Sequence, residues 1–239
     1  MNNDPSFRMP ATDRSTKTSA ARSQRGGPAC GNVLAAAPPQ QSPVNDDPFT
    51  LPPDLPIPHD DGGAAHLRGA ALPDLTLNAT VGPPVHLPSL DRAIVYFYPR
   101  TGVPGRSPGA AWDSIPGARG CTPQSCSFRD LAAEFAALRT SLYGLSTQTT
   151  EFQREFAQRA HIPFPILSDS SLDLTARLTL PTFEFDIEPL GGGGPRTLLR
   201  RMSWYVVGGV IRHVWYPVFP PDTNGAMTLA WLRANGGAA

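Results

Sequence analysis

The sequence predicts an α/β fold, a mixed central sheet flanked by helices on both faces, behind a disordered N-terminal extension. Three observations carry this. Residues 93–98 (AIVYFY) are a continuous apolar, β-rich run, as a central strand covered on both faces requires. From about residue 72 such runs alternate with turn residues and segments of helical period. Residues 1–58, by contrast, have few aromatic or β-branched residues, repeated Pro, Ser and Gln, and no sustained hydrophobic period. In a chain of 239 residues this divides into an extension, 1–58, and one domain, 59–239.

Taken in order, residues 72–77, 81–82 and 85–87 alternate apolar and polar residues around a turn and predict an N-terminal hairpin. The run 93–98 follows, and its carboxyl end is where an open α/β sheet places a ligand. Between Pro99 and Cys121 lies a Gly- and Pro-rich loop with Trp112 and Ile115, long enough to be functional and expected to fold over the site. A helix is predicted over 123–139, with Phe128, Leu131, Ala132, Phe135 and Leu138 on its buried face. Thr122 is its expected N-cap and Pro123 its first residue.

Residues 142–145 form the next strand and 149–161 the next helix, with Thr149 or Thr150 as cap and Phe152 and Phe156 in period. A strand over 164–167 and a short helix over 171–178 follow, then a break at Pro181. Gly191, Gly192, Gly193 and Gly194 make a flexible turn; no Lys-Ser/Thr and no helix follow, so a phosphate loop is not indicated. Residues 201–207 and 210–215 around Gly208-Gly209 read as a β-hairpin. Along it, Arg201, Ser203 and Tyr205 share one face and Met202, Trp204 and Val206 the other. An amphipathic helix over 223–234 closes the chain.

Composition excludes several classes of function. Twenty basic and twenty acidic side chains leave no net charge, so nothing favours nucleic acid or an anionic membrane. No apolar run approaches a membrane span and the N-terminus lacks the apolar core of a secretory signal. Three cysteines, with Cys30 in the extension, are no secreted disulfide framework, so a reducing, cytoplasmic setting is expected. Residues 1–39, Arg-, Ser- and Ala-bearing and poor in acids, loosely fit an organelle transit peptide as well. The five histidines lack metal-ligand spacing and the cysteine pair lacks a second pair, so neither metal nor cofactor is predicted.

The most informative stretch is Cys121 to Cys126, two thiols five residues apart at the start of a helix. Helix dipole and unpaired N–H groups at that position favour a thiolate, the nucleophilic form. Held in an intact helix, the pair is separated by about 7.5 Å of rise, beyond the usual span of a disulfide. A bond between them needs local unwinding, which suits a bond that forms and breaks during turnover. The alternative is that Cys121 is a small buried residue and Cys126 a helix residue without chemistry. Arg129 and Asp130 read as a helix-surface pair.

A mixed sheet with a cysteine opening the first long helix is the thioredoxin-type arrangement, and over about residues 72–232 the chain resembles the peroxiredoxins of the Q type, also called bacterioferritin comigratory proteins. The markers are Tyr96-Phe97-Tyr98-Pro99, Gly120-Cys121-Thr122 with Cys126 and Phe128-Arg129-Asp130, and Arg201-Met202-Ser203-Trp204 ahead of the glycine hairpin. The resemblance implies a thiol peroxidase. Cys121 attacks a hydroperoxide, Cys126 resolves the sulfenic acid, Arg201 helps to polarise the peroxide, and thioredoxin or a glutaredoxin resets the enzyme as a monomer or weak dimer. Arg200, beside Arg201, competes for the arginine's role.

One departure stands out. The family pattern places a proline, then a threonine, close ahead of the reactive cysteine, whereas here Ala118 stands three before Cys121 and Arg106 falls where the cysteine is expected. Thr101 supplies the missing hydroxyl if residues 106–120 bulge out as one loop. Two other classes of function remain open: a general thiol-disulfide oxidoreductase, and a non-enzymatic binding module whose inserted loop presents Trp112.

Overall fold

The computed structural model describes residues 50–103, 105–106, 109–188 and 193–235, all within the compact unit from Pro43 to Ala239. Cys30 and residues 1–49 of the expected extension lie outside them. Among the described residues the chain orders β1 (Thr76–Ala79), β2 (Val85–His86), β3 (Arg92–Phe97), α1 (Gly109–Asp113), α2 (Cys121–Asp130), α3 (Ala132–Ala137) and β4 (Ser141–Ser146). There follow α4 (Thr150–Arg159), β5 (Ile166–Ser168), α5 (Asp173–Arg177), β6 (Thr182–Asp186), β7 (Pro195–Leu199), β8 (Met202–Val207), β9 (Val210–Trp215) and α6 (Asn224–Asn235).

Seven strands make the main sheet in the order β2-β1-β5-β4-β3-β8-β9. β3, β4 and β5 run parallel through helical crossovers, and β1 and β8 flank them antiparallel. The central placing of β3 explains its unbroken apolar sequence. Ala93, Val95 and Phe97 enter one core with Met202, Trp204 and Val206, while Ile94, Tyr96 and Tyr98 enter the other with Phe128, Phe156 and Leu229. Helices α2, α3, α4 and α6 thus cover one face; α5 and the segment carrying Ala64 and Leu67 cover the other. The fold is thioredoxin-like, a mixed sheet with helices on both faces.

Most expected elements are present with shifted ends. Thr149 caps α4, its hydroxyl accepting from Phe152 N at 3.4 Å, and Gly208 and Gly209, at φ 56° and 70°, turn the β8–β9 hairpin in the left-handed region. Val81 and Gly82 belong to the turn between β1 and β2, with Val81 exposed. The helix expected over 123–139 is two: at Leu131 the backbone leaves helical values (φ −109°, ψ 11°) before α3 begins. Thr122 is not the cap. The helix opens two residues earlier because Gly120 takes the left-handed conformation and its carbonyl accepts Gln124 N at 3.0 Å. Pro123 tolerates this, since early N–H groups of a helix have no partner to lose.

Two segments read as connectors carry structure of their own. β6 and β7 pair antiparallel as a separate hairpin, Thr182 opposite Leu199, with Gly193 and Gly194 in the connection and Gly191 and Gly192 outside the described residues. The inserted loop holds α1, and its Trp112 is only 3 % exposed, packed with Ala118, Ile187 and Leu198 and edge-on to Phe185. The insertion therefore folds onto the β6–β7 hairpin, and Trp112 presents no contact surface.

Candidate active site

Cys121 is the first residue of α2 and is buried, at the carboxyl-end side of β3 where sheet and helix meet. Its placement depends on Gly120. At φ +99° a side chain is strained, and a Cβ would approach within 2.8 Å of Leu51 Cδ2 and run into Pro221. Leu51 belongs to residues 50–58, which the sequence assigned to the extension; Pro58 likewise lies against Gly117.

Arg201 precedes β8 with 3 % exposure. Its Nη2 donates to Cys121 Sγ at 3.3 Å and to the carbonyls of Ala118 and Arg119, both at 3.1 Å. Its Nε donates to Gly117 O at 3.2 Å, and Nη1 donates to Gln124 Oε1. The Cys121 thiol in turn donates to Ala118 O at 3.6 Å. The residues 117–119 that build this seat are the end of the insertion, so the inserted segment is part of the site. Arg200 points elsewhere, its Nε 3.9 Å from Asp61 and its guanidinium over the Phe183 ring.

The arginine is held by a polar chain that sequence reasoning missed. Gln124 Nε2 donates to Asn224 Oδ1 at 2.9 Å, and Ser203 Oγ donates to the same oxygen at 2.7 Å. All three side chains are fully buried. Asn224 opens α6, whose next residue, Gly225, packs so close to α2 that a Cβ would stand 2.6 Å from Ser127 O. In a low-dielectric interior such a hydrogen-bonded chain fixes geometry, with Asn224 Nδ2 alone left without a partner among the described residues. The only sequence signal was polar residues on otherwise apolar faces, and partners a hundred positions apart give that signal no address.

Cys126 is also on α2, half-buried, and both thiols are free. Burial raises the Cys126 thiol above its ordinary value, Asp130 adds to this and Arg129 opposes it. Arg129 and Asp130 form the expected surface pair at 2.8 Å, and Arg129 also donates to Ala160 O. Thr101 is buried with its hydroxyl donated to Gln148 Oε1 at 3.1 Å, the same oxygen accepting Thr101 N and Gln148 Nε2 returning a bond to Thr101 O. Among the described hydrogen bonds the structure joins Cys121 with Arg201 and does not join Thr101 with either.

A buried cysteine thus opens a helix of a thioredoxin-like sheet with its sulfur on a desolvated guanidinium, an arrangement suited to thiol redox chemistry. Residues 114–207 match the AhpC/TSA family, a span running from the insertion through Cys121 and Arg201. The chain is 27 % identical over 169 residues to the chloroplastic peroxiredoxin Q of Sedum lineare, covering 70 % of this chain and 78 % of that one. It is 28 % identical to that of Arabidopsis thaliana, covering 67 % of the latter. Among solved structures, peroxidoxin BcpB of Mycobacterium tuberculosis superposes with a TM-score of 0.53 at 27 % identity, over 70 % of this chain and 96 % of that one. A peroxiredoxin Q of Xanthomonas campestris shares the fold, with a TM-score of 0.51 over 76 % and 97 % of the two chains, at 20 % identity. Residues 114–207 thus carry an AhpC/TSA family domain, and the chain is similar to peroxiredoxins of the Q type, which supports an oxidoreductase.

Proposed function

We propose that the protein reduces hydroperoxides with Cys121 as attacking thiolate and Cys126 as resolving thiol, and that thioredoxin or a glutaredoxin recycles it. The observation that carries this is the Arg201 Nη2–Cys121 Sγ contact at the first turn of α2. The Cys121 sulfur attacks the terminal peroxide oxygen; an S–O bond forms, the O–O bond breaks, and the departing oxygen takes a proton to leave as water or alcohol. Arg201 is placed to meet the negative charge spreading onto the oxygens. Nη2 is shared among three acceptors, while Nη1 has a second hydrogen beyond the one given to Gln124, with no described partner.

Cys126 then attacks the sulfenic sulfur, expelling water and leaving a disulfide. Within the intact helix Cys126 is out of reach and held as a thiol by burial. Unwinding the start of α2 removes both obstacles. Oxidation is therefore expected to break the Gln124 N–Gly120 O and Ser125 Oγ–Cys121 O bonds. Amides of residues 122–128 should exchange faster with solvent in the disulfide form than in the dithiol form. Equal protection in the two forms would count against an intramolecular bond.

Thr101 acts in this scheme through Gln148, fixing the chain just past β3, rather than on the peroxide. Thr101→Val is expected to cost about 1 kcal/mol of stability by removing a buried hydrogen bond, with less than about a tenfold change in the peroxide rate. A larger loss of rate with stability unchanged would return its hydroxyl to the site. The thioredoxin-coupled assay, in which peroxide loss is followed with and without reductant, tests the whole reading. The plant relatives carry chloroplastic names, so import into an organelle stands beside the cytoplasm as the proposed setting.

A further inference from the structure

Beside the cysteine site lies a cavity of about 610 Å³ that the chemistry so far does not use. It opens between the carboxyl ends of β3 and β4, the start of α4 and the β6–β7 hairpin, in the size range of small-ligand pockets. Arg100 lines it. Only 9 % exposed, the Arg100 side chain stacks its guanidinium 4.5 Å over the Phe152 ring, and its buried Nε has no hydrogen-bond partner among the described residues. A second cation, Arg196, lines the same cavity, and among the described residues the one acid in the lining is Glu184 on the exposed hairpin. Burying a guanidinium without a counter-charge is costly, and here both burial and Arg196 push Arg100 below its ordinary value. The cavity neighbours the cysteine site: Ile187 and Leu198 line it and pack with Ala118, whose carbonyl accepts from Cys121 and Arg201.

We propose that this cavity binds the carboxylate end of an organic hydroperoxide, with Arg100 and Arg196 pairing the carboxylate while the peroxide group reaches Cys121. The assignment deepens the peroxidase reading and rests on it for the reaction, though not for binding. Planar guanidinium groups suit carboxylate oxygens, and the apolar wall of Phe152, Ile187 and Leu198 suits the alkyl stem between the two ends. The step at sulfur is unchanged: S–O forms, O–O breaks, sulfur gives up two electrons, and the alkoxide leaves with a proton as a hydroxy acid.

Two measurements test it. First, the Cys121→Ser protein is titrated with hexanoate while amide and arginine Nε–H resonances are followed. Saturable shifts at residues 100 and 147–152 are expected, weakened in Arg196→Gln and lost in Arg100→Gln; no saturable shift at these residues overturns the site. Second, the parent protein is mixed with hydroperoxyhexanoate and with its methyl ester. The acid is expected to oxidise Cys121 about tenfold or more faster than the ester, and Arg196→Gln, on the exposed hairpin, to lower that ratio severalfold. Equal rates for acid and ester in the parent, with hydrogen peroxide still reacting, overturn the substrate class alone. Failure of all three peroxides to oxidise Cys121 overturns it together with the peroxidase reading, even where hexanoate binds.

Discussion

Replacing Cys121 with serine is expected to abolish peroxide consumption, whereas Cys126→Ser should complete one oxidation per molecule and then stop. The contrast follows from placement. Cys121 alone has its sulfur on the Arg201 guanidinium, while Cys126 sits further along α2. A hydroxyl in place of the thiol is a far weaker nucleophile at neutral pH, so the loss should reach the background of the uncatalysed reaction. In the Cys126→Ser protein the sulfenic acid has no partner thiol among the described residues and waits for an outside thiol, which mass spectrometry reads as a single added oxygen. Sustained thioredoxin-linked turnover by Cys121→Ser would displace the assignment to a different residue. Sustained turnover by Cys126→Ser would show that an external thiol resolves the sulfenic acid directly.

The second large effect is at Arg201. Arg201→Gln should lower the second-order rate of Cys121 with hydrogen peroxide by roughly a hundred- to a thousandfold, the size of effect seen when one preorganised donor to a developing charge is removed. Part of the change is structural, because the carbonyls of Gly117, Ala118 and Arg119 lose a shared donor and Gln124 loses a partner. Arg201→Lys separates the contributions. It keeps the charge but cannot fork to several acceptors, so it should recover some of the rate and little of the stability. Parent-like rates in Arg201→Gln would remove the guanidinium from the chemistry and leave it a purely structural cation.

Much of the sheet was legible because its residues obey short-range rules. β3 and the β8–β9 hairpin announce themselves by apolar runs and alternation, and α4 by its period and by Thr149. The β6–β7 hairpin was missed although Thr182, Phe183, Glu184, Phe185 and Asp186 alternate, since the glycine run beside it reads as a linker. The break at Leu131 has no Pro or Gly to mark it; packing of two short helices overrides a continuous apolar period there. At the site, Cys121 and Arg201 were legible through a family pattern, but Gln124, Ser203 and Asn224 meet only when α2, β8 and α6 are assembled. Thr101 fitted a pattern by position along the chain, and its position in space is set by Gln148 instead.

The seat of Arg201 bears on how freely this sequence can drift. Three of the oxygens that hold it, at Gly117, Ala118 and Arg119, belong to the main chain, so the guanidinium reads the path of the backbone and is indifferent to the side chains hung on it. The side chains at 118 and 119 supply none of those acceptors, though both are buried, Ala118 against Trp112 and Arg119 beside Asp113, while Gly117 and Gly120, at φ 77° and 99°, bend the path itself. A loop can thus be lengthened and rewritten ahead of the cysteine while the arginine keeps its place. Variation recorded across a library of functional sequences should be broad at the exposed positions of the insertion and narrow at Trp112, Ala118 and those two glycines.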